Sequence, residues 1–182
     1  MAQAVQIGRF SFLQFYASRA RRILPPLLLV IVTAVMLAPY FLVTPDEMNR
    51  FGKSVTASAL MVANHQFLYE QGYFDTRSDL KPLLHIWTLS VEEQFYAVAP
   101  LLIVFVAWAA RRKHLDFRSL WLRAAGAIAL VSLACCIAFT LRTRNIAFFL
   151  MPFRGWEFLA GGAIGLAEWK FLKTGAGWPN LI

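Results

Sequence analysis

The chain has 182 residues, 59% of them hydrophobic and only 15% charged, with a mean hydropathy of +0.55. A water-soluble domain of this length could not bury so much apolar side chain, and 16 Phe, 6 Trp and 5 Tyr exclude a disordered one. The net charge of +8 raises the question of nucleic acid, but Arg19, Arg21 and Arg22 precede one apolar run and Arg111, Arg112 and Lys113 follow another, which is the pattern of membrane-helix flanks.

Taken in chain order, the N-terminus does not have the layout of a cleaved signal peptide, because its aromatic residues come before the strongest basic cluster. A first span is expected over residues 24–43, which carry no charge and at about 1.5 Å per residue can cross about 30 Å of hydrocarbon. Pro25 and Pro26 fall at the start of this run, where a missing amide hydrogen matters little, and Pro39 can bend its end. Residues 51–69 read as an interfacial or re-entrant helix, since Lys53, Asn64, His65 and Gln66 make a poor lipid-facing surface. Residues 70–82 read as exposed loop.

Further spans are expected over 90–110, 124–141 and 148–167, giving an all-α polytopic transmembrane bundle. The basic flanks orient it with Arg19–Arg22, Arg111–Arg123 and Lys170–Lys173 toward the cytoplasm and residues 44–90 outside. Cys135 and Cys136 are adjacent inside an apolar run and suggest neither a disulfide nor a zinc site. The three histidines, His65, His85 and His114, have no metal-ligand spacing.

Three polar groups need an explanation. Arg19 and Arg22 are three apart and share a helical face, with Phe15 one turn earlier. They suit either a snorkelling anchor or a bidentate clamp for an anion such as phosphate. His85 and Glu92 are seven apart, which returns within about 20° on a helix, while Glu93 points about 100° away. His85 suits a structural hydrogen bond or chemistry, and the Glu92 and Glu93 pair a site or a buried ion pair. Arg154 and Glu157 are three apart inside an apolar run and can neutralise one another. Beyond them Gly161 and Gly165, with Gly162 beside, have a spacing suited to close helix packing.

The blocks FSFLQFYASRARRILPPLLL, YFDTRSDLKPLLHIWTLSVEEQFYAVAPLL and FFLMPFRGWEFLAGGAIG resemble, in that order, three blocks of the bacterial membrane acyltransferase family 3, the OafA/YrhL-like O-acyltransferases. The YFD and KPLLH surroundings look most like members that carry an extracytoplasmic SGNH-hydrolase-like domain. Thr88 stands where Ser is commoner in the family. The resemblance implies a multi-pass enzyme of the bacterial inner membrane. It would transfer an acyl group, usually acetyl from acetyl-CoA, to a hydroxyl of a cell-surface polysaccharide, lipopolysaccharide or peptidoglycan.

No permanently bound cofactor is implied; the partners are acyl-CoA, a lipid-linked or envelope glycan and membrane lipids, with no nucleic acid. The resemblance carries over Arg19 and Arg22 as donor-binding residues, and His85, Glu92, Glu93, Arg154 and Glu157 as the catalytic set. It also implies a presumed catalytic histidine in a helix ahead of the block near Gly8 and further helices after residue 182, so the chain is expected to be a fragment that transfers no acyl group alone. The competing readings are a transporter or channel bundle, for which no internal repeat is seen, and an inactive remnant of the acyltransferase.

Overall fold

The computed structural model describes residues 11–70 and 81–173, with side chains described to residue 163. Among the described residues seven helices follow one another: α1 (Phe12–Phe41), α2 (Pro45–Ala59), α3 (Ala63–Tyr69), α4 (Ile86–Arg112), α5 (Phe117–Thr140), α6 (Arg144–Phe149) and α7 (Met151–Lys173). The described residues are therefore all-α, as composition and periodicity require. The expected loop over 70–82 lies largely outside them. Within its described ends, Lys81 pairs with Glu70 at 3.8 Å.

Helix α1 begins well ahead of the expected span. The Ser11 side chain accepts from the Gln14 amide at 3.3 Å and caps a 30-residue helix about 45 Å long. Arg19 and Arg22 are thus part of the rod rather than a flank before it. Pro25 and Pro26 lie mid-helix, not at its start. The helix tolerates them because each proline removes one amide donor while the residues on both sides continue the helical ladder.

The expected single helix over 51–69 is two. Thr44 and Glu47 form a reciprocal cap at the start of α2, with Pro45 in its first turn. Met61 then takes a positive φ of 56°, and the Val62 amide reaches back to the Ala57 carbonyl at 2.8 Å, so the chain turns before α3. Asn64, singled out as a poor lipid-facing residue, is fully buried inside protein instead.

The principal core packs Leu27, Ile31 and Ala38 of α1 against Phe51, Phe67, Leu83, Ile86 and Phe149. The three α1 residues are spaced four and seven apart, a single stripe, so one face of α1 seats on α2, α3 and the turn before α4. Complete burial of a Leu or Phe side chain there is worth about 1.5–3 kcal/mol.

By length and composition α1, α4 and α5 can each cross a membrane. Of the apolar window of α5 only 6% is fully buried; much of the rest is partly covered, above all by α7, and the remaining face is left for lipid or further protein. The run expected over 148–167 is interrupted: α6 ends at Phe149, Leu150 is extended, and α7 starts at Met151. Gly161 and Gly162 have no neighbour within 4 Å of a built Cβ, so among the described side chains they do not make the close helix packing their spacing suggests; the side chain of residue 165 lies outside them. The close approach is made by Gly155, whose Cβ position is 3.5 Å from Ser132 Oγ on α5. That hydroxyl donates to the Pro152 carbonyl at 2.6 Å and accepts from the Trp156 amide at 3.1 Å, fastening the start of α7 to α5.

Candidate functional site

Helix α1 runs antiparallel to α4 and is joined to it by side chains. The Tyr16 hydroxyl donates to the Ala97 carbonyl at 2.9 Å, and Arg19 Nη2 donates to Glu93 Oε1 at 2.5 Å with Glu92 Oε1 at 3.6 Å. The Arg19 guanidinium also lies over the Tyr96 ring, 3.3 Å from its centroid. A cation held between two carboxylates and an aromatic face gains about 0.5–2 kcal/mol from the ring alone. Glu93 was expected to point away from Glu92, yet both reach Arg19, because a long guanidinium placed between them covers the angle that separates their Cβ directions. Arg19 Nε is buried with no partner.

Beyond this junction the two helices enclose a cleft of about 880 Å³. Its α1 wall includes Ser18, Arg19, Arg22, Pro26 and Leu27, and its α4 wall includes His85, Ile86, Thr88, Leu89, Glu92 and Tyr96. The alignment expected of His85, Thr88, Leu89 and Glu92 on one helical face is therefore what builds the second wall. His85 and Arg22 are exposed, and the Thr88 hydroxyl donates to the His85 carbonyl at 2.9 Å in the first turn of α4. Arg22 has no carboxylate partner among the described residues, whereas Arg19 is engaged by two.

Arg154 and Glu157 do not line this cleft. They form their own pair within α7, with Arg154 Nη2 donating to Glu157 Oε2 at 2.8 Å and Nε to both carboxylate oxygens at 3.1 and 3.2 Å. The Arg154 guanidinium lies 5.0 Å from the Trp87 ring centroid and 5.7 Å from that of Phe148. Trp87 sits between His85 and Thr88 in sequence, so this pair backs the first turn of α4. His65 and His114 are exposed and also lie outside the cleft; His114 occupies the turn after α4 with φ 52°.

The sequence reading missed the residues that hold α4 in place. Asn64 Nδ2 donates to the Phe149 carbonyl at 3.0 Å, Gln94 Nε2 donates to Asn64 Oδ1 at 2.9 Å, and Ser90 Oγ accepts from the Ala63 amide at 3.2 Å. Ser90 and Gln94 lie four apart, on the side of α4 that carries neither His85 nor Glu92. Their one signal in the sequence is two uncharged polar side chains at helical spacing next to an apolar span.

A second, almost wholly apolar cavity of about 700 Å³ lies among α4, α5 and α7, with Phe95, Leu102, Val131, Cys135 and Phe153 in its walls. It contains none of the charged or histidine residues singled out from the sequence.

The sequence model of the family described as "Acyltransferase domain" matches residues 3–182. Among curated proteins, the peptidoglycan O-acetyltransferase OatA of Listeria monocytogenes is 34% identical over 104 residues, 56% of this chain and 16% of that protein. An O-acetyltransferase OatA of Staphylococcus aureus is 28% identical over 98 residues, covering 54% of this chain and 16% of its own length. A Haemophilus influenzae protein described as uncharacterized is 33% identical over 100 residues, 55% of this chain and 40% of that protein. The matched segment thus spans well under half of each of these relatives. No solved structure matches significantly. With three helices of membrane-crossing length and bacterial relatives, the chain is a multi-pass protein of the inner membrane.

Proposed function

The chain belongs to the acyltransferase-domain family, and from that premise we propose that it forms the donor-binding part of a membrane O-acyltransferase that moves an acyl group, acetyl in the simplest case, from acyl-CoA to a hydroxyl of a cell-envelope glycan. The observation that carries this reading is the cleft. It gathers a free cation, Arg22, an exposed imidazole, His85, a hydroxyl, Thr88, and a carboxylate, Glu92, around an apolar floor.

In the reaction the acceptor oxygen attacks the thioester carbonyl carbon, a C–O bond forms and the C–S bond breaks. The hydroxyl proton ends on the departing sulfur, so that acyl-CoA and an alcohol give an ester and free CoA. Arg22 binds a CoA phosphate in bidentate fashion. His85 and Glu92 supply proton acceptors within the cleft, and Thr88 a hydrogen bond to the acceptor. Arg19 sets the wall: held by Glu93, Glu92 and Tyr96, it fixes the separation of α1 from α4. Arg154 and Glu157 support the first turn of α4 through Trp87. Listeria OatA, by its name a peptidoglycan O-acetyltransferase, favours peptidoglycan as the acceptor.

The test is binding of labelled acetyl-CoA to the purified chain in lipid nanodiscs. Saturable binding that Arg22→Ala weakens tenfold or more is expected. Absence of binding to the unsubstituted chain, or binding indifferent to Arg22→Ala, overturns the reading.

A further inference from the structure

Arg22 and Pro26 are one turn apart on the face of α1 that lines the cleft, and Leu27 and Val30 continue that face. Arg21 and Pro25 are also one turn apart but are not on it. In an α-helix the amide of each residue donates to the carbonyl four positions earlier, and proline has no amide hydrogen. Pro26 therefore leaves the Arg22 carbonyl without its helical donor on the cleft side, and Pro25 leaves the Arg21 carbonyl without one elsewhere. Of the donors on its walls, Arg19 is directed to the two glutamates and the Thr88 hydroxyl to the His85 carbonyl, while Ser18, His85 and Tyr96 make no hydrogen bond to the Arg22 carbonyl among the described residues. An open carbonyl in a membrane helix demands a partner from outside the helix.

Helical side chains tilt toward the N-terminus while carbonyls point toward the C-terminus. The Arg22 guanidinium and the Arg22 carbonyl thus face opposite ways along the same wall. Acyl-CoA presents the matching order of groups: phosphates, then an arm bearing secondary amides, then the thioester and its acyl chain. Leu27, Val30 and Ile86 supply apolar surface in the direction where the acyl chain would follow.

We propose that Arg22 holds the donor at two points, with its guanidinium on a phosphate and its main-chain carbonyl accepting from an amide N–H of the arm, and that Pro26 keeps this acceptor free. The inference rests on the acyl-CoA reading and deepens it.

The experiment measures affinity of the chain in nanodiscs for CoA and for phosphoadenosine diphosphate, the nucleotide half of CoA without the amide-bearing arm. Alanine restores the missing amide and favours the helix, so Pro26→Ala is expected to fold. It should weaken CoA by about threefold to tenfold, the value of one neutral hydrogen bond, and leave the nucleotide half unchanged. Pro25→Ala relieves the same backbone constraint away from the cleft and should change neither. Unchanged CoA affinity in Pro26→Ala, or an equal loss in Pro25→Ala, overturns the carbonyl contact while the Arg22 phosphate contact stands. If neither probe binds the unsubstituted chain, both readings fall together.

Discussion

Asn64 and Gln94 exchange hydrogen bonds in both directions: Gln94 Nε2 donates to Asn64 Oδ1 at 2.9 Å and Asn64 Nδ2 to Gln94 Oε1 at 3.4 Å. Gln94 Nε2 also donates to the Met61 carbonyl at 3.3 Å, and Asn64 to that of Phe149. The pair therefore ties the turn before α3 and the end of α6 to the helix that presents His85 and Glu92. Gln94 itself follows Glu93, so the ion pair with Arg19 and the amide pair with Asn64 anchor neighbouring residues to different elements.

Asn64→Ala leaves buried acceptors on Phe149 and Gln94 unpaired, at a cost of about 1–3 kcal/mol. Combined with Gln94→Ala, the two changes should be non-additive by at least about 0.5 kcal/mol, as residues of one network are. Denaturation of the detergent-solubilised chain measures both, and strictly additive losses would count against a coupled pair.

Arg19 should not tolerate lysine. An ammonium group cannot lie flat on the Tyr96 ring and reach two carboxylates, so Arg19→Lys is expected to lower stability by about 1 kcal/mol although the charge is kept. Glu93→Ala should destabilise more than Glu92→Ala, because the Glu92 side chain is 42% exposed and farther from the guanidinium, whereas that of Glu93 is 20% exposed. Thermal unfolding of the three variants orders them, and an equal loss from the two glutamate changes would refute the assignment.

Much of this arrangement is legible in the sequence. Apolar run length gave the membrane class, and the seven-residue spacing of His85 and Glu92 gave one wall of the cleft, because both depend on helical periodicity within one segment. That Arg19 meets Glu93 was not legible. It depends on how far α1 slides along α4, which is fixed by the packing of Leu27 and Ile31 on residues distant in sequence. The mid-helix position of Pro25 and Pro26 was missed for a related reason: hydropathy marks where lipid-compatible sequence begins, whereas the Ser11 cap marks where the helix does.

Glu47 gives a pH dependence. The backbone amide of Thr44 first, then its hydroxyl, hold the Glu47 carboxyl below its ordinary value of 4.5. A pKa lower in the folded than in the unfolded chain means that the cap stabilises fully above the unfolded value and loses its contribution as pH falls through the folded one. The difference in thermal stability between the unsubstituted chain and Glu47→Gln should therefore be constant from neutral pH down to about 5 and shrink below about 4. A difference that grows on acidification would reverse the assignment.

The charge flanks and the helix register together make a topological prediction. Positive flanks alone would put both Arg19–Arg22 and Arg111–Lys113 on the cytoplasmic side. The register sets Arg19 level with Glu93, and from there α4 continues to Arg112 over about 28 Å, close to the thickness of a hydrocarbon core. The two requirements conflict for an upright α4: the register sets the Arg19–Glu93 pair about one hydrocarbon thickness from Arg112, so with Arg111–Lys113 cytoplasmic the pair and the cleft lie toward the opposite face. After replacement of Cys135 and Cys136 by serine, single cysteines are placed at Arg118, Arg77 and Ser18 and treated with a membrane-impermeant maleimide. Arg118→Cys should react only in inverted vesicles and Arg77→Cys only in intact spheroplasts. Ser18→Cys, on the cleft wall, decides between the two: the register expects it to react in intact spheroplasts, the charge rule in inverted vesicles. Reaction of Arg118→Cys in intact spheroplasts would invert the orientation, and reaction of Ser18→Cys in inverted vesicles only would overturn the placement taken from the register.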